Sequence, residues 1–108
     1  MESLRDKNMR PTHPGEILLE DVLPKLGVTQ TEFAKMLRVS RRTVSEILHE
    51  HRSLTPDVAI RLSCLIGGTP DGWLRMQQAV DLWDLEHDNA KIYAVIKKLS
   101  VQQKRKVG

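Results

Sequence analysis

Residues 40–53 carry a dense set of hydrogen-bonding side chains that suit a nucleic acid. Arg41 and Arg42 follow directly on Ser40, and a guanidinium can donate two hydrogen bonds to O6 and N7 of guanine. Hydroxyl side chains bond bases or phosphates and contact the thymine methyl group. The predicted DNA contacts in this stretch are Ser40, Arg41, Arg42, Thr43, Ser45, His49, Arg52 and Ser53. Exposed arginines also serve simply as solvated surface residues, and that alternative stays open.

Further candidate ligands for phosphate flank this stretch. Gln30 and Thr31 begin a predicted helix, and the side chains and free backbone N–H groups of a helix N-terminus bind phosphates. Arg52 and Ser53 follow the arginine-bearing helix, where we expect them to contact the DNA backbone on the other flank. His49 is a further candidate for a phosphate contact.

No constellation of residues predicts catalysis or a metal site. His49 and His51 are two residues apart and face different sides of a helix, while His13 and His87 are distant in the sequence. Cys64 is the single cysteine, which excludes an internal disulfide, and its apolar neighbours predict a packed residue rather than a nucleophile. The chain has no glycine-rich phosphate loop and no nucleophile elbow. We therefore expect no enzyme activity, no metal and no cofactor.

Two short helices and the turn between them must position the candidate DNA contacts. Phe33, Ala34 and Leu37 supply the apolar face of the first helix, and Val44 and Ile47 that of the second. A small residue such as Ala34 is needed where two helices cross at about 90–120°. The pattern predicts a helix-turn-helix whose second helix lies in the major groove of DNA.

The turn itself departs from the usual composition at one position. Val39 is expected to fill the angle between the two helices. Arg38 stands where glycine is common, because the turn requires a positive φ. A non-glycine residue there costs about 1 kcal/mol, which does not exclude the motif.

The remainder of the chain is predicted to be helical, since no segment shows the alternation of a strand. Capping signals mark helix starts at Thr29, Ser40, Thr55 and Thr69. Pro24 is expected to end or kink the first helix. The predicted fold class is all-α.

Composition and charge limit the function less than the motif does. The chain has 108 residues, 40% of them hydrophobic and 29% charged, with a net charge of +3. This length supports one ordinary domain, and no apolar run approaches the ~20 residues of a membrane-spanning helix. Residues 91–108 hold six bases and no acid, which leaves 11 of the 17 bases against all 14 acids in residues 1–90, a net charge of −3. The excess of bases is therefore a property of the C-terminal end.

We divide the chain into a domain at 11–88, which includes the fifth helix, and a basic extension at 89–108, helical or disordered. Ile92, Val95, Ile96 and Leu99 have helical spacing and indicate a sixth helix. After residue 100 the apolar content is too low for packing. The bases of the extension are interpreted either as a solvated end or as an arm that follows DNA phosphates or an acidic partner.

An apolar stripe runs along the predicted fifth helix at Trp73, Met76, Val80 and Trp83. It is interpreted either as core packing within one chain or as the seam of a homodimer. Because helix-turn-helix proteins bind symmetric half-sites about one DNA turn apart, these four residues are the candidate dimer interface.

Five segments together resemble one family. They are HPGE at 13–16, GVTQ at 27–30, VSEIL at 44–48, LTPDVAIRL at 54–62 and TPDGWLRMQ at 69–77. They resemble the HigA/VapI-type antitoxins of the Cro/C1-type (XRE) helix-turn-helix family, over about residues 11–88. The resemblance implies a lambda-repressor-like DNA-binding domain of five to six helices, with a helix-turn-helix and a C-terminal helical extension.

The resemblance also implies a function. Members of the family are bacterial type II antitoxins that bind operator DNA as dimers, repress their own operon and neutralise a HigB-type toxin, a RelE-like ribosome-dependent RNase that cleaves mRNA. The expected partners are double-stranded operator DNA, a second copy of the chain and the cognate toxin, in the cytoplasm, with no membrane. Two alternatives stay open: a stand-alone phage- or plasmid-type repressor without a toxin, and a toxin-binding module with little DNA binding.

Overall fold

The computed structural model describes residues 9–99. Within this part the chain forms helices and no strands, so the all-α prediction is confirmed. Helix α1 has three contiguous pieces, the α-helical Pro14–Ile17, a π-helical turn at Leu18–Val22 and the α-helical Leu23–Leu26. The other helices are α2 at Gln30–Leu37, α3 at Arg41–Leu48, α4 at Pro56–Ile66, α5 at Pro70–Asp88 and α6 at Ala90–Ala94.

The predicted capping residues begin four of these helices. Thr29 and Glu32 form a reciprocal capping box: Thr29 Oγ1 accepts from the Glu32 N–H at 3.1 Å and Glu32 Oε1 from the Thr29 N–H at 2.8 Å. The hydroxyls of Ser40, Thr55 and Thr69 accept from the backbone three residues later at 3.0, 3.2 and 3.0 Å. These bonds satisfy N–H groups that have no partner within the helix.

The π-helical turn explains how α1 continues past a proline. The N–H of Leu23 bonds to Leu18 O, five residues back, and this wider turn accommodates the ring and the missing N–H of Pro24. Pro24 therefore does not end the helix, contrary to that part of the expectation: the helix widens locally and ends at Gly27 with φ 69°. A left-handed residue at a helix end favours glycine.

The start of α1 is built against α3. His13 is 3% exposed, and its Nδ1 accepts a hydrogen bond from the Gly15 N–H at 2.9 Å. Gly15 lies so close to the Ile47 carbonyl that a Cβ there would overlap with its oxygen. Glycine is therefore required at this position by the approach of two backbones, and α1 fixes the position of α3.

The core lies between the first four helices and the loop before α4. Phe33 and Leu62 are among its largest fully buried side chains. The buried cluster comprises Leu18, Leu23, Phe33, Ala34, Leu37, Val44, Ile47, Leu48, Leu54, Val58, Ala59 and Leu62. It contains every residue that we assigned to the inner faces of the helix-turn-helix.

The C-terminal part of the described chain adds little to this core. Helix α6 ends at Ala94, earlier than the spacing of its apolar residues predicts, and it has no buried residue. Ile92, Val95, Ile96 and Leu99 are exposed, and residues 100–108 of the predicted extension lie outside the described part. None of the described helices is both long and apolar enough to cross a membrane.

Candidate nucleic-acid interface

The turn between α2 and α3 has the backbone conformation that the sequence indicates. Arg38 is left-handed, with φ 60° and ψ 44°, and the Val39 N–H bonds to Ala34 O at 3.1 Å. Arg61 on α4 donates through Nη1 to the carbonyls of Leu37 and Arg38 at 3.0 and 3.1 Å. Arg61 thus holds the C-terminus of α2. Sequence reasoning missed this role because Arg61 lies more than 20 residues after Leu37 and Arg38 along the chain.

Helix α3 presents one face outward. Val44, Ile47 and Leu48 are buried, which turns the opposite face of the helix to solvent. Arg41 and Arg42 are exposed at its N-terminal end, and the Arg42 side chain is 84% exposed.

The hydroxyl side chains of this face differ in how much of their hydrogen-bonding capacity is left for a ligand. Ser40 Oγ lies 2.8 Å from Thr43 Oγ1 and also accepts from the Thr43 N–H. These two side chains therefore order the start of α3, and each keeps only part of its bonding capacity for a ligand. Ser45 is half-buried one turn further on.

Glu46 joins two arginines on the outer face of α3. Its Oε2 accepts from Arg42 Nε at 3.1 Å. Its Oε1 accepts from Arg52 Nε at 2.9 Å and forms a salt bridge with Arg52 Nη2 at 2.8 Å. The bonds from Arg42 and Arg52 hold the pKa of Glu46 below its usual range. Glu46 therefore remains a carboxylate at neutral pH, between two of the predicted DNA contacts.

The loop after α3 carries the remaining flank residues, and Arg52 contacts the outer face of α3 through Glu46. His49 caps α3, and its Nδ1 lies 2.8 Å from Ser45 O. Arg52 and Ser53 are exposed, and the next residue is anchored: the Leu54 N–H donates to Oε1 of the buried Gln77 at 2.8 Å. A polar residue within the apolar stripe of α5 was the only sequence signal for this anchor.

Gln30 and Thr31 occupy the first two positions of α2, after the capping box. Gln30 is half-buried and Thr31 is exposed. The capping box uses the N–H groups of Thr29 and Glu32. The N–H groups of Gln30 and Thr31 are not part of it, and they lie at the positive end of the helix dipole, which favours a phosphate.

An ion-pair cluster that the sequence did not reveal ties the N-terminal segment to the other end of α3. Arg10 bonds to Glu50 at 2.9 Å and to Asp84 on α5 at 2.8 Å. Glu50 has φ 62°, so the turn after α3 is left-handed at a non-glycine residue. The Arg10 guanidinium holds the pKa of Asp84 below its ordinary value.

The candidate dimer interface needs one correction. Val80 is 1% exposed, so it packs inside the protomer and is no part of an exposed seam. Sequence spacing identifies a stripe but not which of its residues face the protomer core. Trp73, Met76 and Trp83 are half-buried, and Met76 borders an open groove of about 320 Å³ between α5 and the N-terminal segment.

Comparisons with known proteins identify the family to which this arrangement of helices belongs. The family model described as "Helix-turn-helix" matches residues 19–73. Virulence-associated protein I of Dichelobacter nodosus is 43% identical over 91 residues, 83% of this chain and 84% of that protein. Antitoxin HigA-1 of Vibrio cholerae serotype O1 is 41% identical over 81 residues, 75% of this chain and 76% of that protein.

Solved structures agree in fold and in sequence. The structure of antitoxin GraA in complex with its operator superposes with a TM-score of 0.77 at 36% identity, over 90% of this chain and 99% of that one. The match extends beyond the helix-turn-helix itself and includes most of the helices described above. HigA-1 and GraA are named as antitoxins and not as enzymes, in agreement with the expectation of a protein that is not an enzyme.

Proposed function

Since this chain belongs to the Cro/C1-type helix-turn-helix family that includes the HigA antitoxins, we propose that it binds operator DNA as a dimer, represses its own operon and neutralises a toxin that cleaves mRNA. The observation that carries the proposal is the exposed N-terminal end of α3. Its buried face fixes the helix on the core, and its outer face presents Arg41 and Arg42, with the hydroxyl residues Ser40 before and Thr43 after them.

The predicted DNA contacts divide into three groups on this geometry. Arg41, Arg42 and Ser45 lie on the part of a recognition helix that reaches base edges. Gln30, Thr31, Arg52 and Ser53 flank it, where contacts to phosphate position the protein without reading sequence. Ser40 and Thr43 order the start of α3, and His49 its end.

Footprinting on the DNA upstream of the gene tests operator binding. We expect protection of a palindrome whose half-sites lie about one helical turn apart, because a symmetric dimer places two recognition helices at that spacing. Uniform protection, or none, on this DNA would contradict the repressor function.

The proposed homodimer needs an exposed apolar surface, and α5 supplies one. Leu82 and Leu85 are 52% and 47% exposed, and Trp73, Met76 and Trp83 are half-buried beside them. Sedimentation at micromolar concentration should give twice the chain mass of 12.4 kDa, and Leu82→Glu with Leu85→Glu should shift it to one chain mass. A single chain mass for the unmodified protein would contradict the dimer.

Toxin neutralisation rests on the similarity to HigA-1 and GraA, which are named as antitoxins. The test is expression of a toxin encoded next to the gene, with and without this chain. Rescue of growth and co-purification of the two proteins are the expected results. Without such a neighbour, or without rescue, the stand-alone repressor becomes the function.

A further inference from the structure

We propose that Glu46 is a specificity-determining positioning residue: it holds Arg42 so that the terminal edge of the guanidinium faces a guanine, and it keeps Arg42 and Arg52 from binding phosphates indiscriminately. The inference rests on the proposed DNA-binding function. No other carboxylate among residues 9–99 bonds both a residue of the recognition helix and a residue of the loop that follows it.

The bond to Arg42 leaves the useful edge of its side chain available. Glu46 Oε2 accepts a hydrogen bond from Arg42 Nε at 3.1 Å. The other two nitrogens of the guanidinium, Nη1 and Nη2, form no hydrogen bond with any of residues 9–99. A guanine accepts two parallel bonds from such an edge. The carboxylate thus fixes one end of the guanidinium and leaves the opposite end directed away from the helix surface.

The second arginine keeps Glu46 itself in place. Arg52 donates through Nε to Oε1 and lies in salt-bridge contact with it through Nη2, and the loop that carries Arg52 is anchored two residues later by Gln77. The Glu46 side chain is only 26% exposed. Arg42, Glu46 and Arg52 therefore form one chain of contacts from the recognition helix to an anchored loop, and less side-chain entropy is lost when Arg42 binds a base.

The charge of Glu46 also acts against random DNA. A carboxylate on the DNA-facing side repels phosphates. By pairing with Arg42 and Arg52 it also weakens the attraction of both cations to phosphates, while Arg52 Nη1 stays available for a phosphate contact on the operator. On the operator, the directed bonds of Arg42 to a base offset this repulsion. On other sequences nothing offsets it, so the carboxylate widens the difference between operator and non-specific DNA.

The variant Glu46→Gln tests this inference in duplex-binding titrations of the full chain at several salt concentrations. We expect operator affinity to fall by about two- to tenfold, because Arg42 is no longer fixed. We expect affinity for an unrelated duplex to rise by about two- to fivefold and its log–log salt slope to steepen by about one. In ¹H–¹⁵N spectra, the Nε–H signals of Arg42 and Arg52 should lose their protection from exchange.

A matched control separates this effect from a change in net charge. Asp21→Asn removes an acid that pairs with Lys25 at 3.8 Å in the same i,i+4 arrangement, but on α1. It should leave the ratio of operator to non-specific affinity unchanged. Arg42→Ala should weaken the preference for the guanine that Arg42 reads. Adding Glu46→Gln to this variant should weaken that preference no further, because Glu46 acts on this guanine through Arg42.

Two outcomes distinguish the inference from its premise. If the unmodified protein prefers its operator and Glu46→Gln keeps the same ratio of affinities, the positioning role is wrong and operator binding stands. If the unmodified protein binds operator and unrelated duplex equally, the proposed function fails and the inference with it.

Discussion

At the scale of single residues, the exposed arginines of α3 differ from ordinary surface arginines in how they are held. Arg42 is 84% exposed, yet one end of its guanidinium is bound by a carboxylate four residues along the helix. Surface ion pairs of this kind contribute little to stability. Their value here is orientation, so their loss should affect DNA binding more than folding.

Arg42→Ala is therefore expected to weaken operator binding by about 1–3 kcal/mol, the range for removing a bidentate pair of bonds to guanine. The free energy of unfolding in urea should change by less than about 0.5 kcal/mol, as is usual for an exposed substitution. Paired binding and urea titrations measure both quantities. Unchanged operator affinity would show that Arg42 is only a solvated surface residue.

At the scale of helices, the HPGE segment at 13–16 is explained residue by residue. His13 caps α1, Pro14 supplies a first position that needs no N–H, and Gly15 admits the backbone of α3. Glu16 adds a negative charge to the first turn. The segment thus positions the recognition helix without being part of the candidate DNA interface.

Gly15→Ala should displace α3, because the added Cβ meets the carbonyl of Ile47 rather than a side chain that can turn away. We expect the free energy of unfolding to fall by about 1–3 kcal/mol, typical of overpacking, and operator affinity to fall with it. Urea denaturation and operator titration provide the measurements. The exposed neighbour supplies the control, since Glu16→Ala should cost no more than about 1 kcal/mol. Equal stability of the two variants would show that α1 and α3 do not constrain each other.

His13 should make the stability depend on pH. Burial lowers the pKa of His13 below its ordinary value, an effect that Glu50, Asp81 and Asp84 oppose and Arg10 reinforces. In acid the unfolded chain then binds a proton more readily than the folded one, so stability is full above about pH 6.5, the ordinary value. It falls as the pH drops from there towards the pKa of the folded state.

The variant His13→Asn tests this dependence, because an asparagine at the cap accepts the Gly15 N–H without titrating. Urea denaturation between pH 7.5 and about pH 5, above the range where carboxylates titrate, should show a steeper loss for the unmodified protein than for the variant. Parallel curves would assign the loss to other groups.

Local signals predicted most of the helix starts, and tertiary contacts explain what was missed. Thr29, Ser40, Thr55 and Thr69 cap helices through bonds that reach only three residues, so the sequence is sufficient. The left-handed conformation of Arg38 was expected from its position in the turn, where glycine is common because φ is positive. Val80 was misassigned because the spacing of a stripe does not say which of its residues meet the core.

Contacts between distant residues left weaker signals. The contacts of Gly15 with α3, Arg61 with the turn and Gln77 with Leu54 join elements whose approach follows only from the assembled fold. Arg52 reaches Glu46 across six residues through a turn that is left-handed at Glu50. No local pattern predicted that turn, so the bridge between Arg42 and Arg52 was missed although each residue had been identified.

At the scale of the whole molecule, charge is separated along the chain. Residues 1–90 have a net charge of −3 and residues 91–108 one of +6. The candidate DNA interface therefore depends on placed side chains, not on a basic surface. The division of the chain at 88–89 stays a prediction, as do both interpretations of the basic end.

Replacing Lys104, Arg105 and Lys106 by glutamine tests the interpretation of the basic end as an arm on DNA. If the arm follows phosphates, the log–log salt slope of operator binding should flatten by about one unit for each phosphate that is no longer neutralised. The replacement keeps the chain length, whereas deletion of residues 100–108 shortens the chain and removes the same three charges. If both variants have the same salt slope, the effect is due to charge and not to length. An unchanged slope in both would exclude an arm on DNA and leave a solvated end or a contact with an acidic partner as the interpretation.

The placement of the two tryptophans has an optical consequence. Trp73 and Trp83 are the two tryptophans of the chain, and both lie on α5. The Trp83 ring is stacked on His87 at 3.6 Å, and its Nε1–H is buried without a hydrogen-bond partner among residues 9–99. The tryptophan fluorescence of the unlabelled protein therefore originates on α5 and not on α3. Emission follows whatever covers α5, while DNA on the recognition helix is best followed by a dye on the duplex, so the two surfaces can be monitored separately in one cuvette.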